Sequence, residues 1–265
     1  KDTTAASLEK IYVSEQGTNV ISVYGASNYS LVKEIDLNAA DRYAYEGKVP
    51  LAKPNDLLIL GDRAYVALNN QNSSYENAGP GVVAVIDTNT DAVINTIQLT
   101  GENANKLCYS SFYPDYLFVL MNGSYKDMVY QNDSQLAAIH LPTQKIASSI
   151  TIQDNPSDLI ISDSGELIVS SLPKLLKYTF TSNQFTQTQT YIIDGAGDYS
   201  LDMELYLGKI LITDFHKDKL YLIDRAFTQT TSFETSSTPG FIGIYNNTAY
   251  IIGQPWLGAG VMDKL

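Results

Sequence analysis

Three aspartates stand at the start of successive apolar runs: Asp56 before Leu57-Leu58-Ile59-Leu60, Asp158 before Leu159-Ile160-Ile161, and Asp202 before Met203. Lys106 and Phe241 hold the equivalent place in two other runs. In a closed ring of sheets these positions point to a central channel. Carboxylates at one level supply hard oxygen ligands for calcium or magnesium, although such ions take six or more oxygens. Lys106 would neutralise part of that charge, while Asn55 and Glu204 add polarity. The plainer alternative is a hydrated channel mouth whose aspartates cap turns.

Other chemistry is poorly supplied. Only His140 and His216 are available as bases. His140 replaces the Asp that closes the related strand Val83 to Asp87, so it reads as a turn residue. His216 lies close to Asp214 and Asp218. A metal there needs a third ligand held by outer hydrogen bonds, so a solvated turn is the preferred reading. Gly258-Ala259-Gly260 precedes a strand, not the helix N-terminus that a phosphate loop uses. Cys108 is the single cysteine, which excludes an internal disulfide. It sits in an alternating apolar stretch and reads as a buried, inert thiol.

Binding has better candidates. Three long loops, 38–53, 69–80 and 122–133, are rich in Tyr and Asn. Tyr43, Tyr45, Tyr75, Tyr125 and Tyr130 lie in them, and Trp256 lies near the C-terminus. Tyr and Trp give large contact area at low entropic cost, so these six are the candidate recognition residues. The alternative is that several pack beneath their own loops.

The elements that must position these residues are short strands. A three-residue pattern recurs as Ile11-Tyr12-Val13, Ala64-Tyr65-Val66, Leu117-Phe118-Val119, Leu167-Ile168-Val169, Ile210-Leu211-Ile212 and Ala249-Tyr250-Ile251. The spacings are 53, 53, 50, 43 and 39 residues, close to the ~40–50 of a propeller blade. A second strand and an alternating third strand follow most occurrences, and an apolar run precedes most. No useful stretch carries a helical period. The expectation is an all-β chain, one β-propeller domain over 1–265 with four-stranded antiparallel blades. Six blades are expected, with seven as the alternative. Residues 1–8 serve as a tether or a closing strand. Followed through such blades, the three long loops crowd one face.

Composition narrows the partners. Seventeen basic and 29 acidic residues give −12. That field disfavours nucleic acid and anionic membranes. No run of about 18 apolar residues marks a membrane span.

Residues 64–97, with Ala64-Tyr65-Val66-Ala67, Val83-Ala84-Val85-Ile86-Asp87 and Val93-Ile94-Asn95-Thr96-Ile97, resemble the YVTN repeat of bacterial and archaeal β-propellers. Ile11 to Tyr24 and Leu220 to Asp224 resemble it more loosely, and the segments around Leu117 and Leu175 depart from it. The resemblance implies an exported protein: periplasmic, outer-membrane-associated or surface-layer-like, often lipid-tethered, and usually without enzyme activity. The expected function is a binding or scaffold propeller for a protein or glycan of the cell envelope. The rival expectation is a lactonase- or lyase-like enzyme with a divalent cation at Asp56, Asp158 and Asp202.

Overall fold

The computed structural model describes residues 9–40, 43–126, 129–253 and 261–265. The chain is all-β and of the β-propeller class, with six sheets of three or four strands, one two-stranded sheet and a single short 3-10 turn among the described residues. The residues group into two compact units, 1–154 and 155–265. No described helix is long and apolar enough to cross a membrane.

The first unit opens with a sheet of β1 (Lys10–Glu15), β2 (Val20–Gly25) and β3 (Leu31–Asp36). Its second sheet is β4 (Pro54–Leu60), β5 (Arg63–Leu68), β6 (Val82–Asp87) and β7 (Ala92–Gln98). The third runs β8 (Ala104–Cys108), β9 (Tyr116–Met121), β12 (Ser134–His140) and β13 (Lys145–Ile152). A small hairpin, β10 (Tyr125–Lys126) with β11 (Val129–Tyr130), is inserted after β9. The stretch 122–133 is therefore part strand, not a plain loop as its composition suggests.

The second unit contains β14 (Asp158–Ile161), β15 (Leu167–Ser171), β16 (Lys174–Thr181) and β17 (Gln184–Ile192) as one sheet. The next holds β18 (Met203–Tyr206), β19 (Lys209–Asp214), β20 (Lys219–Asp224) and β21 (Thr230–Glu234). The last has β22 (Pro239–Tyr245), β23 (Thr248–Gly253) and β24 (Val261–Lys264). The first and last sheets thus show three described strands each, against the four expected of every blade.

Local chemistry explains the hairpins. Two-residue loops at Leu207-Gly208, Ser182-Asn183 and Asn246-Asn247 all hold positive φ at both positions. That is the turn whose twist matches its flanking strands, and Gly and Asn reach it at low cost. A register shift recurs between the last two strands of four sheets, at Val23/Tyr24, Val85/Ile86, Ala138/Ile139 and Lys177/Tyr178. Such bulges add twist. Even the irregularities of the repeat are repeated.

Both faces of the central strands are buried. In β5 and β6, Ala64, Val66, Leu68, Val82, Ala84 and Ile86 pack towards Tyr12, Ile21, Val23 and Ile35 of the first sheet. The alternate residues Tyr65, Ala67, Val83 and Val85 pack towards Leu107, Leu117, Val119 and Ala137 of the third. In the second unit, Ile210, Ile212 and Ile223 meet Ile160, Ile168 and Leu175 on one side, while Leu211 and Leu220 meet Ile242 and Ile251 on the other. Each Val, Leu or Ile among them contributes about 1.5–3 kcal/mol on burial. The strand β22 departs from this rule: Ile244 and Tyr245 are exposed despite the apolar run they belong to. Cys108, at the end of β8, is half-buried rather than buried. The alternation of its segment assigns a face, but the strand ends there.

The three aspartates join neighbouring sheets. Asp56 Oδ1 accepts the N–H of Leu57 at 2.9 Å, and its Oδ2 accepts the N–H of Leu107, in the next sheet, at 2.8 Å. Asp158 takes Leu159 N–H at 2.7 Å and Met203 N–H at 2.7 Å in the same way. Asp202 takes Met203 N–H at 3.2 Å and Ile242 N–H at 2.8 Å. Leu107, Met203 and Ile242 each follow the position equivalent to the aspartate. One carboxylate thus accepts a backbone N–H from each of two adjacent sheets.

Replacing Asp158, which is 1% exposed, with Asn keeps one acceptor and sets an NH2 group against the second N–H. Asp158→Asn is expected to cost about 1–3 kcal/mol, read as a lowered urea midpoint with an unchanged slope. An unchanged midpoint would remove the bridging role.

Candidate functional site

The loops of the first unit are built from amide side chains that stand in for backbone. Asp36 caps the 3-10 turn (Leu37–Ala39) by accepting the N–H of Asn38 at 2.8 Å. Asn38 Oδ1 then accepts the N–H of Ala52 at 3.0 Å and closes its own loop at the base. Asn19 Oδ1 accepts the N–H of Lys53 at 2.9 Å. These bonds hold the loop 38–53 at both ends.

The three loops are then tied to one another. Tyr45 N–H donates to the Ala78 carbonyl at 2.8 Å, and its phenol donates to Glu102 Oε1 at 2.5 Å. Asn77 donates to the other oxygen of Glu102. Gln71 Nε2 donates to Asn103 Oδ1 at 2.8 Å, and Asn103 Nδ2 donates to the Gly123 carbonyl at 2.5 Å. Gly123 has φ +77, and a Cβ there would meet Ser134 N at 2.8 Å. The loops 38–53, 69–80 and the start of 122–133 therefore share one face, as their order along the strands implies.

Two of the candidate tyrosines present surface there. Tyr45 is 41% and Tyr75 55% exposed. The Lys53 ammonium lies 4.4 Å from the centre of the Tyr75 ring, a cation–π contact that orients it. Burial, followed by the bond to Glu102 and its charge, pushes the Tyr45 phenol well above the usual tyrosine range. It remains a neutral donor at any physiological pH. Tyr43 instead packs, partly buried, against the core of the first two sheets, with its phenol 3.5 Å from both the carbonyl and the hydroxyl of Thr96. Trp256 and the side chains of Tyr125 and Tyr130 lie outside the described residues.

Glu102, Asn103 and Gln71 organise this face, and sequence reasoning passes over them. They carry no motif. Their partners are 20–57 residues away, so only the tertiary arrangement reveals them.

At Asp56, Asp158 and Asp202 a cation would compete with the backbone bonds described above. Among the described residues no three His, Cys, Asp or Glu side chains group as metal ligands.

In the second unit, Asp214, His216 and Asp218 do not act together. Asp214 is fully buried and accepts the N–H of Gly197 at 2.7 Å. A Cβ on Gly197 would lie 2.6 Å from Asp214 Oδ1, so only glycine allows this approach. His216 points to Asp198 instead, with Nδ1 2.6 Å from Oδ1. Its ring contacts Tyr199 and Phe215 at centroid distances of 6.2 and 5.3 Å. His140 closes β12 and meets Thr143 Oγ1 at 2.9 Å, a turn contact.

The His216 bond, ahead of its charge, holds the Asp198 carboxyl below the usual Asp range. Its share of stability is present above the unfolded pKa and is lost as pH falls through the folded one. An NMR titration is expected to show the Asp198 pKa rising towards the ordinary value in His216→Ala. No change would place its cause elsewhere.

No family model matches this sequence, and no curated protein matches it. Many solved structures share the fold. A protein of unknown function from Desulfotomaculum acetoxidans superposes with TM-score 0.71 at 13% identity, covering 93% of this chain and 73% of that one. Virginiamycin B lyase from Staphylococcus aureus gives TM-score 0.67 at 12% identity, covering 97% and 80%. BamB from Moraxella catarrhalis gives 0.55 at 15% identity, covering 92% and 64%. At such identities the likeness is one of fold, shared by proteins of unlike function.

Proposed function

We propose that this chain is a non-enzymatic binding propeller that recognises a partner through the loop face of its first unit. One observation carries the reading. Three loops that are distant in sequence are bonded into one surface, and that surface holds Tyr45 and Tyr75 exposed and oriented. Preorganised aromatic anchors lose little entropy on binding and dominate interface energetics. A face built by Glu102, Asn77, Gln71 and Asn103 has its polar groups engaged with one another. It offers ring surface more than reactive groups.

A protein partner fits this surface better than a glycan, because the Gln71, Asn77 and Asn103 amide nitrogens that could donate to sugar hydroxyls already donate inside the loops. We further assign the chain to YVTN-like repeat propellers of the cell envelope, with export and a lipid tether as their usual setting. The resemblance of residues 64–97 supports this.

Crosslinking on intact cells followed by mass spectrometry is expected to recover a discrete envelope protein with the native chain. Recovery should fall at least about tenfold for a Tyr45→Ser, Tyr75→Ser double variant. Equal recovery by the variant, or binding to glycan arrays alone, overturns the reading.

A further inference from the structure

On the first unit, at the hairpin turns rather than the long loops, β1 and two turns enclose a cavity of about 190 Å³. Its walls are Lys10 and Tyr12 of β1, Ile59 of β4, the turn Gly61-Asp62, and Thr88-Asn89. The volume is below the ~300 Å³ at which drug-sized sites begin and equals about six waters. A ligand here has fewer than about ten heavy atoms.

The wall is built, not incidental. Asp91, 6% exposed, lies behind it. Its Oδ2 is 2.6 Å from Lys10 Nζ, and its Oδ1 accepts the Tyr12 phenol. Lys10 Nζ also donates to the Thr88 carbonyl at 3.1 Å. Two of the three ammonium protons are thus placed inside the protein, and the third remains for the cavity that Lys10 lines. Burial, with the Asp91 bond and charge, keeps the Tyr12 phenol protonated. Asp62 forms another wall. Arg63 Nη1 is 3.4 Å from it but bonds Asp87 Oδ2 more closely, at 2.6 Å. Asp62 lines the cavity with its side chain 62% exposed.

We propose that this cavity binds a small zwitterion, an α-amino acid with a short side chain. The chemistry of the walls selects it. A simple anion would meet Lys10 but also Asp62 and a chain of net charge −12. A simple cation would meet Asp62 but also the Lys10 ammonium. A zwitterion places its carboxylate on Lys10 and Asn89, its ammonium on Asp62, and its aliphatic part against Ile59. The site is separate from the loop face and stands or falls independently of it.

Calorimetry on the full chain with glycine, L-alanine, L-serine and L-valine tests this. At least one is expected to bind with Kd below about 1 mM. N-acetyl-L-alanine and L-alaninamide, each lacking one charge, should bind at least about tenfold more weakly than L-alanine. Asp62→Asn, at an exposed turn and checked for folding by circular dichroism, should weaken the tightest binder by at least about tenfold. No binding by any of the four below that limit overturns the proposal. So does equal binding by the blocked analogues, or an Asp62→Asn variant that binds as the native chain does.

Discussion

A sheet that is apolar on both faces can end only against another sheet. Strands β5, β6, β9, β12, β15 and β19 bury nearly every residue, odd and even alike. Alternation cannot then separate a core side from a water side; both sides are core. The outer strands β3, β7, β13, β17 and β21 carry the polar alternation instead. The radial order within each sheet, from apolar to polar, follows from that constraint, and the low proportion of charged residues, 17%, is its compositional trace.

Stacking alone leaves a problem at the strand starts. Backbone N–H groups near the inner strand starts need acceptors, and a buried donor without one costs about 1–3 kcal/mol. Asp56, Asp158 and Asp202 solve it by offering one oxygen to their own sheet and one to the next. Residues whose pattern suggests metal binding in the sequence also bridge adjacent sheets in the fold. The ambiguity is physical: a carboxylate facing N–H dipoles and a carboxylate facing a cation look alike in a sequence.

The loops show how function separates from fold. Their tyrosines are visible in the sequence as a bias, yet their fates diverge. Tyr43 is drawn into the core, while Tyr45 is held at the surface by Glu102. The two are two residues apart. What distinguishes them is the position of Glu102, in the loop between β7 and β8.

The sequence alone determined the strand type, the repeat, the hairpin turns and the sharing of one face by the long loops. Each depends on local periodicity or on residues that tolerate positive φ, and both are properties of neighbouring positions. Only the tertiary structure decided the work of Asp56, Asp158 and Asp202, the pairing of His216 with Asp198 rather than Asp214, and the cavity walled by Lys10, Tyr12 and Asp62. Those depend on which groups from distant strands meet, and on which of them find an acceptor first, a matter of geometry that spacing along the chain does not encode.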